Sequence, residues 1–222
     1  MMIDKEFIDK TERSEWDFSN EILYSMCREN FTHTQTDKII GKTVLIGRTY
    51  AAAIERRKNK TKEEQNDNFY IDKVAPEFKK SKLDFYLEKL KSETELDEKN
   101  IPEILKVHFY LTSLIKELTE QNKRSFSSKY LHFHLPHLFF IYDTRAVKAI
   151  GLLKTKFQYK YKEQINSENA DKEYASFFYK CFAQKNKLKN EFNRKISTRH
   201  IDNILMKAVE LNETKAYAQQ RV

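Results

Sequence analysis

The chain has 222 residues, of which 40% are hydrophobic and 13% aromatic, enough to build a packed core and too many for a disordered segment. Three glycines (Gly41, Gly47, Gly151) and three prolines (Pro76, Pro102, Pro136) are too few for the turns of a β-sandwich or barrel, and neither GxGxxG nor a P-loop motif occurs, which excludes the Gly-rich phosphate loops of nucleotide-binding α/β folds. The formal net charge is +8, which suits an anionic partner such as one with a phosphate backbone.

In chain order, Trp16-Asp17-Phe18 reads as an aromatic turn, followed by a helix over 19–29 that opens on a Ser19 cap and lines up Ile22, Leu23, Met26 and Cys27. A long helix is expected over 37–58, with Gly41 and Gly47 inside it. Residues 59–80 are polar and read as an exposed loop with a short ordered piece at Phe69–Val74. Apolar periodicity resumes over 81–91 through Leu83, Tyr86, Leu87 and Leu90. A charged connector follows, and then Pro102 sits well in the first turn of a helix running to about Gln121. Ser125, Ser127 or Ser128 caps a short helix carrying Lys129, Tyr130, Leu131 and Phe133, which Pro136 ends. An extended, apolar and aromatic stretch leads to Tyr142-Asp143, where Asp143 or Thr144 caps the next helix. Further helices fit 170–190 and 197–212. The expectation is an all-α domain over 1–222, of about seven or eight helices, with two lobes divided near 59–100.

Cys27 and Cys181 are too few for a disulfide framework or a CxxC metal site, and read as reduced core thiols. The first residues, acidic and mixed, do not resemble a signal peptide, and no apolar run approaches the ~18 residues of a membrane span, so a soluble cytoplasmic protein without membrane contact is expected. The charge is uneven: residues 1–53 carry 7 basic and 9 acidic side chains, whereas residues 154–199 carry 12 and 5. A nucleic acid is the partner such a basic half favours, and Lys123, Arg124, Ser127, Ser128, Lys154 and Lys156 are candidate phosphate contacts.

Lys129 and Asp143 form the chemically suggestive pair. A carboxylate at a helix N-terminus is stabilised by free N–H groups and the macrodipole, and a lysine among Tyr130, Leu131 and Phe133 has its ammonium form disfavoured by burial. Held together, they suit cleavage of an N-glycosidic bond: the carboxylate stabilises an oxocarbenium-like sugar while the amine, or a water, attacks. The segment SSKYLHFHLPHLFFIYDTRA resembles the active-site region of helix-hairpin-helix DNA glycosylases, and among them the compact prokaryotic relatives of 8-oxoguanine glycosylase. In that resemblance Ser128-Lys129 matches the family's small residue and catalytic Lys, and Ile141-Tyr142-Asp143 its catalytic Asp; KRSFSSK stands where the family carries a Gly-rich hairpin. The resemblance implies a two-lobed all-α fold, duplex DNA as partner with the target base extruded, no cofactor, and a role in repair or against modified phage DNA. His132, His134, Tyr142 and Arg145, with Arg48, Tyr50, Trp16 and Asp17, are the candidate substrate-binding residues. His132 and His134 point roughly 200° apart on a helix, so a shared metal ion is not expected. Two alternatives remain. Arg194 and His200 have the R-x5-H spacing that resembles HEPN ribonucleases, and a basic helical module can bind DNA without catalysis.

Overall fold

The computed structural model describes residues 3–56 and 68–219, and among them the secondary structure is helical, with no strand. Eleven α-helices follow in order: α1 Lys5–Lys10, α2 Asp17–Glu29, α3 Thr36–Thr49, α4 Ala75–Lys80, α5 Leu83–Lys91, α6 Ile101–Thr119, α7 Arg124–His134, α8 Thr144–Leu152, α9 Lys162–Ile165, α10 Lys172–Phe192 and α11 Thr198–Gln219. The all-α class is as expected. The count exceeds seven or eight because α1, α4 and α9 are one to two turns long, too short to show an amphipathic repeat.

Three boundaries differ from the sequence reading, each for a local reason. Helix α2 starts at Asp17, not after Ser19, because the Asp17 carboxylate accepts hydrogen bonds from the Ser14 backbone N–H and hydroxyl, both at 3.0 Å. Helix α3 ends at Thr49 instead of running to 58. There Ala51 turns into the left-handed region (φ 51°), and the Ala52 N–H returns to the Gly47 carbonyl at 2.6 Å. A Cβ on Gly47 would stand 3.2 Å from the Ala53 Cα, so only glycine admits this fold-back without displacement. Residues 50–56 leave the helix, and residues 57–67, which hold the last two positions of that expected helix and the first part of the expected polar loop, lie outside the described residues. The remainder of the loop is helical: a π-turn at Tyr70–Val74 runs straight into α4, burying Phe69, Val74, Ala75 and Phe78.

Helix α7 is the central element. Every residue from Phe126 to His134 is buried, and α2, α3 and α6 pack around it. Helix α11 lies along α8 and touches α10. One apolar cluster runs from Ile8 to Val209 and includes Val74, Phe78, Leu83, Leu87, Leu90 and Leu96, from the described part of the region near which a division into lobes was expected. Cys27 and Cys181 are free and buried, and burial pushes the Cys27 thiol up to about 12.

A polar knot sits inside this core. The Lys42 ammonium, fully buried, donates to the carbonyls of Asn30 (2.6 Å) and Thr32 (3.1 Å), which follow the end of α2, and to His134 Nε2 (3.2 Å). His134 is oriented by donating from Nδ1 to the Tyr130 carbonyl at 2.8 Å, and His33 joins Asp84 (2.5 Å) to the Tyr130 hydroxyl (2.7 Å). Burial pushes Lys42 down to about 8. Lys42→Met keeps the volume but strands these acceptors, so a loss of about 2–4 kcal/mol is expected in urea unfolding. An unchanged midpoint would show that the knot contributes nothing net.

Candidate functional site

Helices α7 and α8 bring Lys129 and Asp143 together through a two-part latch. Ser128 accepts from the Tyr142 N–H at 2.9 Å, which fixes the extended segment before α8 against α7. One residue further on in both segments, the Lys129 ammonium lies 3.4 Å from Asp143 Oδ2. Asp143 Oδ1 caps α8 by accepting from the Ala146 N–H at 2.9 Å. The Lys129 side chain is only 3% exposed and also donates to the Tyr50 carbonyl (3.1 Å) and the Ser125 hydroxyl (3.0 Å). Burial holds Lys129 below the ordinary lysine range, and Asp143 draws it part of the way back.

Asp143 faces a cleft of about 860 Å³ whose other walls come from the α1–α2 connection, the end of α3 and the first turns of α11. Trp16, Tyr50, Ile141, Arg145, Arg199, Asp202 and Asn203 line it, and Lys10, Arg13 and Lys207 stand at its edges. The Arg199 guanidinium pairs with Asp202 at 2.5 Å and reaches the Tyr50 hydroxyl at 3.5 Å. Asp202 is buried, and desolvation pushes its carboxyl up to about 6; Arg199 and Lys129 pull it down and Asp143 pushes it up. Arg199 Nε and Asn203 Nδ2 are buried donors with no partner within the described structure.

No family model, curated protein or solved structure matches the chain.

The functional reading therefore rests on where the side chains stand. Of the expected site residues, Asp143, Arg145, Tyr50 and Trp16 line the cleft, with Lys129 directly behind the wall. The others are occupied elsewhere. His132 bridges the Tyr24 hydroxyl (2.7 Å) and the Phe139 carbonyl (2.8 Å) inside the core, and burial pushes it down to about 3, so it is a neutral packing residue instead of a substrate ligand. His134 belongs to the Lys42 knot. Tyr142 turns toward α10, its hydroxyl 3.4 Å from Glu173, and Asp17 is spent on Ser14. Arg48 forms an exposed pair with Glu55 at 3.3 Å.

Among the expected phosphate contacts, Arg124 is tied to both Asp171 oxygens at 3.1 Å and to Glu173 at 3.0 Å, which binds α7 to α10. Lys123 donates to the Arg56 carbonyl at 2.9 Å, and Ser127 and Ser128 are fully buried. Only Lys154 and Lys156 of that set are exposed without an intramolecular partner among the described residues. The R-x5-H pair fastens α1 to the body: Arg194 meets Asp9 (2.6 Å) and Glu12 (3.0 Å), while His200 Nε2 meets the Ile8 carbonyl (3.1 Å).

Asp202, Arg199 and Asn203 were not singled out from the sequence. The helical repeat gives no signal for them, because Asp202 and Asn203 lie off the Ile201–Ile204–Leu205–Ala208 stripe and are buried only by the elements that pack round α11. Among the described residues no group of three His, Cys, Asp or Glu side chains is placed to hold a metal ion, and no helix is long and apolar enough to cross a membrane.

Proposed function

We propose that the protein is a DNA glycosylase that cleaves the N-glycosidic bond of a damaged or modified base extruded from duplex DNA. The observation that carries this reading is the Lys129–Asp143 pair, 3.4 Å apart, with Asp143 on the wall of a nucleotide-sized cleft. Ligand sites of this kind span roughly 300–1,000 Å³. The Asp143 carboxylate supplies negative charge where the sugar becomes cationic, and its N-cap bond through Oδ1 holds it in one orientation. Lys129, held by three acceptors behind the wall, positions Asp143, and a water entering the cleft is the nucleophile. Trp16 and Tyr50 offer aromatic surface for an extruded base, and Arg145, Arg13 and Lys10 offer charge to the flanking phosphates.

The test is a panel of duplex oligonucleotides carrying damaged, deaminated and hypermodified bases, read by alkaline strand scission at abasic sites. Abasic sites on at least one substrate, lost in Asp143→Asn, are the expected result. Tight DNA binding with no base release from any of them would favour a non-catalytic helical module.

Asp202 adds a pH dependence. Below about pH 6 it takes up a proton, which removes a negative charge from the cleft and weakens the compensation of the Arg199 cation. The lost negative charge opposes a positive sugar, so the single-turnover rate should rise as pH increases through about 6, and Asp202→Asn should flatten this limb. A limb that persists unchanged in Asp202→Asn would assign it to another group.

A further inference from the structure

Several lysines of this chain have a carboxylate within reach: Lys10 with Glu6, Lys80 with Glu77, Lys91 with Glu88, Lys207 with Glu210. Others, Lys154 and Lys156 among them, stand alone on the surface among the described residues, but at one place three unpaired lysines share a concavity. Where α10 turns into α11, a groove of about 520 Å³ is lined by Lys185, Lys189 and Lys195 together with Asn193, Arg194 and Glu95. None of the three lysines has an ion-pair or hydrogen-bond partner among the described residues. Arg194 is already engaged by Asp9 and Glu12, which leaves Glu95 as the one carboxylate on the groove wall facing three ammonium groups. Lys185 is half-buried; burial pushes its ammonium down, Lys189 and Lys195 push it the same way, and Glu95 opposes them. Three like charges gathered in a concave, partly desolvated site are unfavourable, and nothing else within the groove offsets them. An anion does so.

We propose that this groove is a phosphate-binding site and that its phosphate belongs to a nucleic-acid backbone. The second half rests on the DNA reading given above. The groove ends at Ser197 and Thr198, and the next residue, Arg199, begins the α11 wall of the Asp143 cleft. A strand whose nucleotide enters the cleft therefore meets the groove along the same helix. Lysine suits this task, because a flexible ammonium follows a phosphate as a point charge without demanding one geometry.

The test has two arms on the full chain. In the first, thermal unfolding is followed in sodium phosphate and in sodium chloride of equal ionic strength. Wild type is expected to melt higher in phosphate. The triple variant Lys185→Gln/Lys189→Gln/Lys195→Gln is expected to lose that shift, and Glu95→Gln to enlarge it, a gain that misfolding cannot produce. In the second arm, affinity for an unmodified DNA duplex is measured against salt. Each phosphate contact contributes about 0.9 to the slope of log K against log[salt], so the triple variant should lose roughly 2–3 units of slope and bind about 10–100-fold more weakly near 0.1 M salt. A phosphate shift with an unchanged DNA slope would overturn the backbone assignment and leave a site for free phosphate compounds. The absence of a phosphate shift in wild type would overturn the site itself. Neither arm involves base release, so an inactive protein that passes both keeps the groove while the glycosylase reading falls.

Discussion

Replacing Asp143 with Asn is expected to slow abasic-site formation by about 10²–10³ on a confirmed substrate, the usual loss when one group preorganised for transition-state charge is removed. The substitution is nearly isosteric and keeps an oxygen for the Ala146 N–H, and Asn caps helices about as well as Asp, so α8 should keep its start. The charge is what disappears. Lys129 then loses its anionic neighbour but retains the Tyr50 carbonyl and the Ser125 hydroxyl, and its burial already disfavours the charged form. A stability cost of about 1–2 kcal/mol follows, small against a rate loss of roughly 3–4 kcal/mol. Single-turnover kinetics and urea unfolding on the same preparation separate the two. DNA affinity should hold, since Asp143 contributes no cation to phosphate binding. Abasic sites formed at the wild-type rate by a folded Asp143→Asn would place the chemistry elsewhere. If the variant loses stability and activity together, Asp143 is only the cap of α8.

The sequence was most readable where short-range chemistry decides the structure. Asp143 as the cap of α8, Pro102 in the first turn of α6 and the helical pairing around Pro136 follow from local preferences that the fold leaves alone. The juxtaposition of Lys129 with Asp143 was legible for a similar reason: 14 residues separate them, and Ser128 closes the intervening segment by one hydrogen bond. What escaped was settled by contacts distant in sequence. Arg124 looks like a free cation until α10 presents Asp171 and Glu173, 47 and 49 residues later. His132 and His134 look like ligands until Tyr24, from α2, and Lys42, from α3, take their outer nitrogens. Asp202 and Arg199 enter the cleft only because α11 packs along α8, a pairing no local pattern announces. The end of α3 at Thr49 depends on Ala53 returning against Gly47, and a glycine in a helical pattern does not say which neighbour will approach it.

Lys129→Met is expected to leave no covalent step to lose and yet to reduce the rate about 10–100-fold. A lyase nucleophile must reach the anomeric carbon with a neutral amine. Lys129 has the lowered basicity for that role but not the access: its side chain is 3% exposed, and its nitrogen is shared among the Tyr50 carbonyl, the Ser125 hydroxyl and Asp143. A positioning role fits all three contacts. Methionine preserves the buried stem and removes the ammonium, so Asp143 keeps only its N-cap bond and gains freedom to swing into solvent. Misplacement of a reacting group by about 1 Å commonly costs on the order of 10²-fold in rate. The stability loss should be about 1–3 kcal/mol, less than for a fully buried ion pair, because the Asp143 side chain is 29% exposed and water can solvate it. Borohydride added during turnover discriminates between the roles. With Lys129 as a positioning residue, neither wild type nor Lys129→Met is trapped on DNA, and Lys129→Arg, which keeps a cation behind Asp143, recovers part of the rate. With Lys129 as nucleophile, wild type is trapped, Lys129→Met is not, and Lys129→Arg recovers nothing, since a guanidinium cannot form the Schiff base. A trapped wild-type adduct would therefore require the nitrogen to leave its three acceptors on DNA binding and would overturn the hydrolytic route in favour of a lyase.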